Sequence, residues 1–191
     1  GSDCTLADLE RDASRLAGHL VSSGLGTDSK VAFYLHNGPE YLIGTFAAFK
    51  IRGVPVNVNY RYEQSELRYL LTNSDAEAVL CNADLLPRVH SLLDELSALR
   101  TVIVVDDLAQ PAESIYYSHD RVNIVSWATA LDAAPADRRT DRTGDDLWFL
   151  YTGGTTGMPK GVMWPHRSLL ISWKGSFKVL GLELPSTIDE L

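Results

Sequence analysis

The chain has 191 residues, 45% of them hydrophobic and 22% charged, enough apolar content for one folded domain with a substantial core and too much for disorder. Seventeen basic residues against 25 acidic ones leave a formal charge of −8, so there is no overall basic field to recruit nucleic acid or an anionic membrane. No apolar run approaches the roughly 18 residues of a membrane span and nothing at the N-terminus reads as a signal peptide, which makes the cytoplasm the expected location.

Gly1-Ser2 reads as a residue of tag cleavage and is set aside. Leu6, Leu9, Ala13, Leu16, Ala17, Leu20 and Val21 then recur at helical spacing, and Gly24 to Gly26 ends that helix. Strands are expected at 31–35, 54–58, 78–81 and 102–105. Between them lie three helices. Pro39 opens one carrying Leu42, Ile43, Phe46 and Ala47 on one face; Leu67, Leu70 and Leu71 mark the second; Leu85, Leu86, Val89, Leu92, Leu93 and Leu96 mark the third. These apolar stripes read as core-facing surface. The alternation predicts an α/β fold, a parallel sheet flanked by helices with right-handed crossovers.

From Asp106 to Asp145 the pattern weakens. Residues 110–113 and 132–137 read as loops, 122–125 as a strand with Ser126 capping a short helix, and 137–142 as a solvated connector of mixed charge. The chain therefore divides into a βα-alternating part (3–107), an irregular connector (108–145) and a strand, loop, strand and helix start (146–191), with no internal repeat or low-complexity segment.

In that last part, residues 146–151 and 161–164 are apolar strands around Thr152-Gly153-Gly154-Thr155-Thr156-Gly157-Met158-Pro159-Lys160, and Pro165 opens a helix through 168–171. Glycines let a backbone approach an anion closely, threonine hydroxyls add donors, and Lys160 adds a point charge. A Walker A loop is excluded, because G-x-x-x-x-G-K-[ST] started at Gly153 meets Met158 and started at Gly154 meets Pro159 where its second glycine belongs. A glycine-rich hairpin that binds nothing is the alternative these residues leave open.

Residues 151–161 resemble the phosphate-loop signature of the adenylate-forming (AMP-binding) superfamily, the acyl-CoA synthetases, luciferases and peptide-synthetase adenylation domains, with Gly153 where serine is usual. Thr5-Leu6-Ala7-Asp8-Leu9 and the stretch from Phe49 to Asn57 resemble the first and second core motifs, in the family's order. The form of 48–50, 56–62 and the loop is most similar to actinobacterial fatty-acyl and steroid-side-chain CoA synthetases. The resemblance implies a part of the large N-terminal domain of such an enzyme, with Thr152, Gly153, Gly154, Thr155, Thr156, Gly157 and Lys160 on the β- and γ-phosphates of ATP. Mg²⁺ would share their charge, a carboxylic acid would be activated as acyl-AMP, and coenzyme A would take the acyl group. It further implies an N-terminal fragment, inactive by itself. The adenine and ribose motifs, an aromatic-x-Thr-Glu segment, the hinge and a C-terminal lysine would lie past Leu191, and the chain, which lacks an initial Met, would be cut at the front as well.

Other polar groups are weighed lower. His166 reads as structural or capping, His36-Asn37-Gly38 as a turn, and Tyr60-Arg61-Tyr62 as surface packing. His19, His90 and His119 lack metal-ligand spacing, and no Ser-His-Asp arrangement can be argued. Cys4 and Cys81, the only cysteines, read as free thiols. The alternative to an enzyme is a folded module that grips phosphate weakly or not at all; a nucleic-acid binder is disfavoured by the charge.

Overall fold

The computed structural model describes residues 4–105, 117–136, 141–153 and 158–181. The loop expected at 110–113, residues 137–140 of the charged connector, and Gly154, Thr155, Thr156 and Gly157 of the Gly/Thr-rich stretch lie outside the described residues.

Helix α1, Leu6–Ser22, starts at Thr5, whose hydroxyl accepts the Asp8 N–H at 3.1 Å while Asp8 accepts the Thr5 N–H at 3.2 Å. That reciprocal capping box satisfies two amide donors the helix leaves open, and it gives the Thr5 to Leu9 motif a local structural role. Strand β1 (Lys30–Tyr34), helix α2 (Pro39–Lys50), strand β2 (Val54–Asn57), helix α3 (Gln64–Asn73), strand β3 (Ala76–Asn82), a 3₁₀ turn (Ala83–Leu85) and helix α4 (Leu86–His90) follow. Then come β4 (Thr101–Val105), β5 (Asn123–Ser126), α5 (Trp127–Leu131), β6 (Leu147–Thr152), β7 (Lys160–Pro165) and α6 (His166–Val179). Ser126 caps α5 through Thr129 N–H at 3.1 Å, as its position predicts.

One seven-stranded sheet runs in the order β5-β4-β3-β1-β2-β6-β7, parallel through β6, with β7 antiparallel to β6. Alternate strand residues feed two cores. Tyr34, Val56, Val79 and Val102 meet Leu67, Leu70 and Leu86 of α3 and α4 on one face. Phe33, Leu80 and Ile103 meet Leu16 and Leu20 of α1, Ala47 of α2 and Ala130 of α5 on the other. A parallel sheet buried on both faces reads as near-continuous apolar runs, as these strands do.

Two expectations need correction. The third apolar stripe is not one helix: α4 stops at His90, and residues 91–99 continue as turns. Leu85, Leu86, Val89, Leu92, Leu93 and Leu96 are nevertheless all buried. The break is made good from a distance, because the Arg121 guanidinium donates to the carbonyls of Leu93 (2.6 Å), Leu96 (3.1 Å), Ser97 (3.3 Å) and Leu99 (2.8 Å). Those are carbonyls that a continuing helix would have bonded internally. On α2, Ile43 and Ala47 are buried, but Leu42 and Phe46 are 53% and 46% exposed, so that stripe is only half core.

Cys81 is buried in β3 and Cys4 is exposed. Burial, with Asp84 adding repulsion, pushes the Cys81 thiol far up from its ordinary value. An aromatic disulfide reagent is expected to modify one thiol of the native chain rapidly and the second only in denaturant; two rapidly reacting thiols would contradict this packing.

Candidate functional site

Strands β6 and β7 form a hairpin in continuous antiparallel register from Leu147↔Pro165 to Thr152↔Lys160. That last pair brackets the Gly/Thr-rich connection and sets Thr152 and Lys160, both exposed, directly across from each other at its mouth. Because β6 runs parallel to β2, the mouth opens at the carboxyl ends of the parallel strands, the edge where α/β sheets collect ligands. Of the residues singled out for phosphate, Thr152, Gly153 and Lys160 are thus brought together; Gly154 to Gly157 lie outside the described residues.

How the hairpin is attached to the sheet is less ordinary. Val54 N–H donates to Ser29 O (2.8 Å) and Val58 N–H to Phe33 O (3.1 Å), so even-numbered amides of β2 face β1 and odd-numbered positions face β6. One odd position is Pro55, which has no N–H to give. The β2–β6 ladder has a single paired position, Val56↔Phe149; Pro55 withholds the donor on the side away from the loop. The next contact is made by a side chain: Asn57 Oδ1 accepts the Tyr151 N–H at 2.6 Å, and Asn57 Nδ2 donates to the Tyr151 carbonyl at 3.3 Å.

Tyr151 itself, 6% exposed, is held at two further points. Its hydroxyl donates to Asn73 Oδ1 at the end of α3 (2.8 Å). Its ring lies against Gly161, where a Cβ would come within 2.8 Å of Cζ, so only glycine admits the ring there. Beside it, Tyr62 brings its hydroxyl to 3.7 Å of where a Gly153 Cβ would stand, and Tyr62 is anchored through its carbonyl, which accepts the Tyr34 hydroxyl at 2.7 Å. Arg88 bonds both Tyr34 Oη (3.2 Å) and Glu63 (3.1 Å). Sequence reading singled out neither Asn57 nor Asn73. The available signal was Asn57 itself, a lone amide side chain in an apolar strand.

The other end of the hairpin is fixed by charge. Arg52, in the left-handed region at φ 57° after α2, forks onto Asp146, Nη2 to Oδ1 at 2.8 Å and Nε to Oδ2 at 3.2 Å. Asp146 also accepts the Thr143 hydroxyl at 3.0 Å. The Arg52 hydrogen bonds, with those of Thr143, outweigh desolvation and hold the Asp146 carboxyl below its ordinary range.

His166 sits at this end too, one residue past the Leu147↔Pro165 pair, which is five ladder positions or about 17 Å from the mouth. It does not cap α6; its ring stands edge-on to Phe49 at 4.8 Å, and burial lowers its basicity. Phe46, Phe49, Trp148, His166, Leu169 and Trp173 line an apolar groove of about 370 Å³ there. At the carboxyl edge, His36 N–H donates to Asn82 Oδ1 (2.7 Å) and His36 Nε2 meets Asp84 (3.0 Å). Arg61 lies over the Tyr60 ring at 5.5 Å, the surface packing that 60–62 suggested. Among the described residues no three His, Cys, Asp or Glu side chains gather as a metal site, and no helix is long and apolar enough to cross a membrane.

The profile of the AMP-binding enzyme family matches residues 1–184. The chain is 37% identical over 169 residues to a medium/long-chain-fatty-acid–CoA/3-oxocholest-4-en-26-oate–CoA ligase of Mycobacterium marinum, covering 86% of the chain and 30% of that protein. It is 38% identical over 170 residues to a 3-oxocholest-4-en-26-oate–CoA ligase of Rhodococcus rhodochrous, covering 88% of the chain and 30% of that protein. Among solved structures, ATP-bound MatB from Rhodopseudomonas palustris superimposes with a TM-score of 0.74 at 26% identity, over 93% of the chain and 33% of that protein. The chain thus spans about a third of the length of the proteins it matches.

Proposed function

Because the chain belongs to the AMP-binding enzyme family, we propose that it is the N-terminal portion of an ATP-dependent, AMP-forming acyl-CoA ligase acting on a fatty acid or related carboxylic acid. The observation that carries this reading is the hairpin mouth, Thr152 opposite Lys160 at the carboxyl edge of the parallel sheet, around a connection rich in glycine and threonine. There a lysine ammonium and threonine hydroxyls can hold the β- and γ-phosphates in line while the carboxylate attacks the α-phosphate and pyrophosphate leaves. Coenzyme A then displaces AMP to give the thioester. Mg²⁺, when bound, would neutralise part of the phosphate charge that Lys160 and the threonine hydroxyls face.

At the full length of its relatives, the protein is expected to catalyse ATP–pyrophosphate exchange that depends on an added medium- or long-chain fatty acid. Exchange with no dependence on any carboxylic acid would overturn the assignment. The 191-residue chain alone is expected to bind Mg-ATP more weakly than micromolar by calorimetry and to turn nothing over.

A further inference from the structure

We propose that Asn57 and Tyr151 form a positioning pair that sets where the phosphate-binding loop leaves the sheet; this rests on the phosphate reading above. Phosphate donors act only when held within about 2.7–3.1 Å of their oxygens, and a displacement on the order of 1 Å is heavily penalised. The residue that enters the loop is Thr152, and the residue before it is gripped at its N–H, its carbonyl, its ring and its hydroxyl. Two of those four contacts come from one carboxamide on β2. Val56↔Phe149 is the ladder pairing between β2 and β6, and one step nearer the loop the Asn57 carboxamide, in place of a further backbone pairing, is the link that fixes β6 at the height of the loop. A plain ladder bond would do this only with the backbone; here a replaceable side chain does it.

The chemistry of the pair makes it testable. Asn57 presents an acceptor to the N–H and a donor to the carbonyl. Leucine has the same branching, with bulkier methyl groups and neither function, and aspartate would turn an oxygen toward the Tyr151 carbonyl. Tyr151→Phe removes only the hydroxyl bond to Asn73 and leaves the backbone grip intact.

The test is titration of the isotope-labelled chain with inorganic tripolyphosphate, followed at the amides of Thr152, Gly153 and Lys160. Asn57→Leu and Asn57→Asp are expected to weaken binding about tenfold, and Tyr151→Phe about threefold, the scale of two and one neutral hydrogen bonds. Leu20→Ala, which opens the core under α1, far from the loop, is the control for general instability and is expected to bind as the parent does. If Lys160→Ala weakens binding while Asn57→Leu, Asn57→Asp and Tyr151→Phe bind as the parent, the positioning role is overturned and the phosphate reading stands. If the parent shows no shift, or Lys160→Ala binds unchanged, the phosphate reading falls and this proposal with it. Equal weakening by Leu20→Ala would also overturn it. Should the Asn57 variants not fold, Tyr151→Phe decides alone.

Discussion

Lys160→Ala, in the protein at its relatives' full length, is expected to lower acid-dependent ATP–pyrophosphate exchange about 100-fold, the scale seen when one preorganised donor to a developing anion is removed. Lys160 opens β7 directly across from Thr152, at the end of a hairpin that is fixed to the sheet by Asn57 and to α2 by Arg52. A charge on such a base needs little reorganisation as the leaving pyrophosphate gains charge. The loss should appear in kcat/KM for ATP, with the fatty-acid KM little moved, and Lys160→Arg should recover only part of it because a planar fork does not replace a point charge. The combined Lys160→Ala, Thr155→Ala, Thr156→Ala protein is expected to fall further. Exchange within threefold of the parent in that triple variant would remove the loop from the mechanism.

The second large effect is on stability. Asp146→Ala is expected to destabilise the chain by about 2 kcal/mol in urea at pH 7, less than a fully buried pair would lose because Arg52 is 24% exposed and Asp146 9%. Truncation leaves the guanidinium and the Thr143 hydroxyl without their acceptor. The pH dependence has a definite sign. A carboxyl whose folded pKa lies below its unfolded value of 3.8 stabilises the fold above that value, and the contribution disappears as pH falls through the folded pKa. The gap between parent and variant should hold from pH 8 to about 5 and close on acidification below 3.8; a gap that widens in acid would refute the pairing.

Much of this was legible in the sequence, for reasons that differ by element. The strand cores announced themselves because a sheet covered on both faces needs continuous apolar runs. The start of α2 was fixed by Pro39 and that of α5 by Ser126, both local signals. The break after His90 was not legible, since what replaces the helix there is Arg121, supplied from 22 to 28 residues downstream. Leu42 and Phe46 kept helical period with the core yet lie outside it, because period alone does not say how wide the covered face is. Composition and order drew attention to the Gly/Thr-rich connection. The amide that anchors it stands 94 residues earlier, beyond any local pattern.

That separation bears on how the chain is made. Until β6 is synthesised, β2 is the outer strand of a growing sheet, with an open flank that could capture a strand from another nascent chain. Pro55 withholds a donor from that flank, and Asn57 next to it offers a polar side chain instead of another apolar surface. The proline and the asparagine that shape the finished attachment of β6 also blunt an unfinished edge against aggregation.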